Sequence, residues 1–87
     1  MIRTAKFNKV KYDIDIGSFD GVCDHPGNKG RPCIMLPNGL KPDKRTLVVL
    51  LHEALHACSW YASEDKVELT AEDIGAFLWK LGYRLKE

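Results

Sequence analysis

Leu47-Val48-Val49-Leu50-Leu51-His52-Glu53-Ala54-Leu55-His56-Ala57-Cys58 decides how this chain is read. Its apolar residues recur at helical spacing. Leu47, Leu51, Ala54, Leu55 and Cys58 share one face, which is expected to meet the core. At about 100° per residue, His52 and His56 lie together at the edge of that face. Residues four apart stand one above the other on a helix, so both imidazoles can grip a single ion. Glu53 is turned away from the pair, where it can reach a water on that ion but not the ion itself. His-Glu-x-x-His at this spacing is the pattern of zinc-dependent peptide hydrolases, with the glutamate as general base.

Upstream of this helix the chain has strand character. Asp43, after Pro42, is placed to cap the helix. Asn38-Gly39 reads as a turn. Cys33-Ile34-Met35-Leu36 is a short apolar strand between Pro32 and Pro37. Residues 24–32 carry two glycines and two prolines and read as turn throughout. Residues 19–23 form a candidate short strand. Lys11-Tyr12-Asp13-Ile14-Asp15-Ile16 alternates polar and apolar, the mark of a half-buried strand. It is open to extension back through Val10 to Phe7, and Gly17-Ser18 ends it.

Downstream, the first helix should end near Trp60-Tyr61, and Ser63 or Asp65 should open a second. Val67, Ala71, Ile74, Leu78 and Leu81 make its buried stripe, and Gly82 stops it. The fold expected is α+β: a short antiparallel or mixed sheet of about three strands, then an active-site helix and a second helix packed on it. A chain of 87 residues has room for one modest core, so residues 1–87 are read as a single domain.

A net charge of +1 gives no overall field to gather nucleic acid or a membrane surface. No aromatic-basic interleaving accompanies the lysines and arginines near the two ends. The longest apolar run, Leu47 to Leu51, is too short to span a bilayer, and the N-terminal stretch lacks the apolar segment of a signal peptide. The expected location is the cytoplasm. Cys23, Cys33 and Cys58 make an odd count with no disulfide spacing and are read as reduced thiols, Cys58 packed within the helix stripe. Cys23, His25 and Cys33 lack the fourth ligand of a structural zinc site. Trp60 and Trp79 are read as core or cleft wall.

A catalytic zinc takes three protein ligands and keeps one position open. His52 and His56 supply two. Glu68, Glu72, Asp73 and His25 compete for the third place. Glu68 and Glu72 share one face of the second helix, with small Ala71 and Gly75 beside them to let the helices approach. Glu68 is favoured, with Glu72 behind it. Yet Asp65-x-x-Glu68 is also a capping box if Asp65 caps the helix, and that leaves Glu68 open.

These residues resemble the minimal zincins, in particular SprT-like and ImmA-like metallopeptidase domains and small phage-encoded relatives. The resemblance runs from about Cys33 to Tyr83. Leu50-Leu51-His52-Glu53-Ala54-Leu55-His56-Ala57 is similar to their active helix. Glu68-x-x-Ala71-x-x-Ile74-Gly75-x-x-Leu78-Trp79 is similar to an ImmA-like pattern in which the glutamate is the third metal ligand. The resemblance therefore implies one Zn2+ on His52, His56 and Glu68, Glu53 as catalytic base, and a protein or peptide substrate. A phage-encoded member would act in the host cytoplasm. By the same resemblance, strand 33–36 is the edge on which substrate pairs, and Tyr61, Tyr83 and His25 are candidates to stabilise the oxyanion. No helix of the kind ImmA-like domains carry before the sheet is read in these 87 residues, and no zinc-ribbon or DNA-binding segment of the SprT-like kind is expected within them. The competing expectation is a non-catalytic, zinc-stabilised binding module or a phage-type inhibitor of a host protein.

Overall fold

Alternation of polar and apolar residues builds the sheet. In a computed structural model that describes residues 4–17, 22–23, 32–37 and 39–85, β1 (Thr4–Phe7) and β2 (Val10–Gly17) form a hairpin. The two-residue turn is Asn8-Lys9, both at positive φ (52° and 66°). That backbone suits the right-handed twist of hairpin strands. The turn is why Phe7 belongs to a separate strand and does not extend the next one. β3 (Val22–Cys23) and β4 (Cys33–Pro37) complete a sheet in the order β1-β2-β4-β3. β2 runs parallel to β4, and the other two pairings are antiparallel. The architecture is the expected α+β arrangement with a mixed sheet, which carries four strands.

β4 is an inner strand, paired with β2 on one side and with β3 at Ile34 and Met35 on the other. The expectation that residues 33–36 form a free edge for substrate is thereby corrected. One sheet face holds Tyr12, Ile14 and Ile16 of β2 beside Ile34 and Leu36 of β4, in a register that pairs Ile14 with Ile34 and Ile16 with Leu36. Tyr12, wholly buried, meets Phe7 edge to face at 5.6 Å between ring centroids.

Helix α1 (Lys44–Cys58) covers this face. The Asp43 carboxylate accepts from the Thr46 N–H at 2.8 Å and caps its start. At its other end Asn8 of the hairpin turn donates to the Cys58 carbonyl, one of the helix's unpaired acceptors. Helix α2 (Glu64–Lys80) is capped by Ser63, whose hydroxyl accepts from the Lys66 N–H. It ends at Gly82 (φ 96°), where Gly82 N–H bonds the Trp79 carbonyl and Tyr83 N–H the Leu78 carbonyl.

The buried sides differ in part from those expected. α1 lies between the sheet and α2, so its apolar residues are divided between two neighbours. Leu50, Glu53, Ala54 and Ala57 look toward the sheet. Val48 and Leu51 meet α2 at Gly75. Cys58, expected in the packed stripe, is exposed in the last turn. On α2, Val67, Ala71 and Gly75 are buried, whereas Leu81 is exposed and Ile74 sits at the margin. The helices approach through the small residues, and a side chain as large as Ile74 is left beside the contact. Among the described residues no helix is long and apolar enough to cross a membrane.

Candidate metal centre

The last two turns of α1 and the first turn of α2 meet across a short connection, and the two histidines face that junction. Their Nε2 atoms are 3.1 Å apart and their ring centroids 4.8 Å apart. Both side chains are half-buried, and Trp60 stands beside His56 at 6.3 Å between centroids.

Glu64 closes the group. Its Oε1 lies 2.7 Å from His52 Nε2 and its Oε2 lies 3.0 Å from His56 Nε2. Two imidazole nitrogens and a carboxylate thus converge on one point, with ligand atoms of all three residues within 4.8 Å of one another. Three acceptor-bearing groups so close repel unless a proton or cation lies between them. Ligand atoms around a tetrahedral zinc at about 2.0–2.1 Å stand about 3.3 Å apart, a few tenths of an ångström wider than these separations. Fitting the set around such an ion takes small outward shifts of both the histidine rings and the exposed Glu64 carboxylate.

Glu68 does not join this group. With Ser63 as N-cap, Glu64 is the first helical residue and shares the junction with the histidines. Glu68 stands one turn further along and is exposed, as are Glu72 and Asp73. The capping alternative also falls, because the third helical position is Lys66 and Asp65 does not cap. His25 lies outside the described residues, so of the Cys23, His25 and Cys33 group only the strand positions of the two cysteines, in β3 and β4, are described. Glu64 was detectable as an acid in the first turn after Ser63, a position it also suits through the helix dipole.

Glu53 is the buried charged residue of the described chain, at 6% exposure. Burial raises its carboxyl pKa. The neighbouring His52 and His56 oppose that rise, and Glu64 adds to it. For Glu64, the slight burial works upward, but charge and hydrogen bonds from His56 and His52 outweigh it, and its pKa is lowered. Two carboxyls near one histidine pair are thus driven in opposite directions, one toward holding a proton and one toward staying charged.

Of the candidates for oxyanion stabiliser, Tyr61 lies in the turn between the helices and is almost fully exposed, and Tyr83 lines a groove near Trp79 and Leu47. Arg84 stacks over the Trp79 ring, which makes Trp79 a groove wall as expected. Comparison with protein-family models, with curated proteins and with solved structures found no match to this chain.

Proposed function

We propose that the chain is a zinc-dependent peptidase in which His52, His56 and Glu64 hold the ion and Glu53 is the general base. The observation that carries this reading is the convergence of two Nε2 atoms and one carboxylate from two helices, with a buried carboxyl on the same helix as the histidines. A nitrogen-rich set with one carboxylate suits zinc. Zinc bound there supplies Lewis acidity and a water acidic enough to be deprotonated near neutrality.

The chain's own residues do the rest. Burial among apolar walls raises the Glu53 carboxyl pKa, so it accepts a proton more readily than an exposed carboxylate would. It then delivers that proton to the departing amine. Glu64, lowered in pKa, stays anionic and holds the histidines toward one point. β1 and β3 are the edge strands of the described sheet and both come near α1, and an extended substrate can add to such an edge through main-chain hydrogen bonds.

Glu53→Gln should retain one equivalent of zinc and lower hydrolysis by about 10²–10⁴-fold, the usual contribution of a general base. Metal analysis and a proteomic cleavage comparison of the two proteins test it. Turnover undiminished in Glu53→Gln would remove Glu53 from that role. A second reading shares the site: zinc as a staple in a non-catalytic binding module, favoured by the fact that the cluster ties α1 to α2. One equivalent of zinc with no cleavage by either protein would support it.

A further inference from the structure

Helix α2 carries a second apolar stripe beside the one it presents to α1. Thr70, Ile74, Phe77 and Leu81 follow one another at intervals of four, three and four residues. At about 100° per residue they fall within about 60° of one another, on the flank of the Val67, Ala71 and Gly75 seam. Ile74 is 37% exposed, and Phe77 and Leu81 are each 61% exposed. Leu81 keeps helical backbone angles (φ −76°, ψ −9°), so it stays on the helical path. Apolar residues at alternating steps of four and three are what one helix shows to another lying along it. Asp73 and Lys80 border the stripe on its outer side, seven residues apart and opposite in sign. Neither enters an ion pair among the described residues.

We propose that this stripe is the interface of a homodimer, in which α2 packs antiparallel on α2 of a second copy about a two-fold axis. The sequence is self-complementary in that arrangement. An axis midway between Ile74 and Phe77 sets Ile74 against the partner's Phe77, and the same axis sets Thr70 against the partner's Leu81. Each branched side chain thus meets a larger one. Asp73 and the partner's Lys80 then stand about 3 Å apart along the helix direction, within side-chain reach. Symmetry makes this ion pair twice. In a parallel pair Asp73 would lie beside the partner's Leu78, and Lys66 beside the partner's Ala71, with no counter-charge for either. Opposite charges at the rim therefore favour the antiparallel copy over the parallel one. So few residues on each side make a small, weak interface, and the dimer gathers only as concentration rises. Glu64 lies at the start of α2, so the two metal clusters stand about 35 Å apart along the pair. Each cluster is complete within one chain, and the dimer does not depend on the hydrolytic reading.

Sedimentation velocity of the full chain at rising concentration reads the equilibrium, and a shift from monomer to dimer is expected. Phe77→Glu puts a charge in the middle of the stripe and should raise the dissociation constant by about tenfold or more. The Phe77 side chain is exposed in the monomer, so thermal melting of dilute protein should stay unchanged in that variant. Asp73→Lys and Lys80→Glu each set like charges opposite one another, and each should weaken the dimer about threefold or more. The double variant Asp73→Lys/Lys80→Glu exchanges the two partners and should restore the affinity of the unaltered chain. Sedimentation as a monomer at every concentration overturns the proposal. So does a dimer that Phe77→Glu leaves intact. A double variant as weak as the single ones overturns it as well, because the antiparallel pairing is then wrong. A chain that stays monomeric yet binds vesicles of phosphatidylcholine and phosphatidylglycerol, and loses that binding in Phe77→Glu, overturns it in favour of a lipid surface.

Discussion

Glu64 and Glu68 stand one helical turn apart, and the metal hypothesis can be divided between them. Glu64 touches both histidines, at 2.7 and 3.0 Å. Removing a partner of a metal ligand typically costs 10–100-fold in metal affinity, so loss of a ligand itself should exceed about 100-fold. Glu64→Ala is expected to lose zinc to that extent, measured by competition with a chromophoric chelator. Glu68→Ala, exposed and outside the cluster, should change zinc affinity less than about threefold, which lies below even the loss of a ligand's partner. The reverse order would return the third ligand to Glu68. The His52, Glu53 and His56 spacing was legible because periodicity within one helix is fixed by backbone geometry. The third member of the cluster, Glu64, comes from another helix. Its identity depends on where that helix starts, and Ser63 and Asp65 were both acceptable caps. A start shifted by two residues rotates the face presented by roughly 200°.

Each helix is held by devices that can be tested singly. The N–H and the side chain of Thr46 hydrogen-bond the Asp43 carboxylate and lower its pKa below the usual 3.8. A group depressed on folding stabilises the fold above its unfolded pKa, and that stabilisation fades as pH falls through the folded value. Asp43→Ala should therefore melt at a lower temperature than wild type at pH 7, and the gap should narrow below about pH 4. Asp43→Asn, also a good cap, should keep most of the stability and lose that pH dependence. A gap that stays constant with pH would remove the cap's charge as its cause. Helix contact depends on Gly75, where an added Cβ would meet Val48 Cγ2 at 2.7 Å. Val48 is β-branched and stiff in a helix, so it cannot swing aside freely. Overpacking costs about 1–3 kcal/mol, and alanine's better helix propensity returns up to about 1 kcal/mol. Gly75→Ala should thus destabilise the chain by up to about 2 kcal/mol in denaturant unfolding. The sequence made Ala71 and Gly75 readable as a close-approach surface. It did not show that α1 has two buried sides, because a single hydrophobic stripe cannot reveal how many neighbours share it. That is why Glu53 and Ala57 are buried while Cys58 is exposed.

At the scale of the molecule, the cluster joins the two helices at one end while, among the described residues, the sheet packs mainly on α1, so the position of α2 rests chiefly on two kinds of contact with α1. One is the small-residue seam of Val67, Ala71 and Gly75. The other is His52 and His56 of α1 against Glu64 of α2. A cation held by all three binds the folded chain and not the separated helices, so it must stabilise the fold. Free zinc at about 100 times its dissociation constant adds about 2.7 kcal/mol. For a domain of this size each kcal/mol moves Tm by about 4–8 °C, so the shift expected is roughly 10–20 °C. A chelator should reverse it. Glu64→Ala should abolish most of the shift, since the two remaining ligands both lie on α1 and no longer tie the helices. Glu53→Gln should preserve it, because Glu53 is assigned to the proton and not to the ion. Differential scanning calorimetry of the three proteins with and without zinc reads all of this. An equal shift in Glu64→Ala would mean that the histidine pair binds metal without α2, and the two-helix site would be withdrawn.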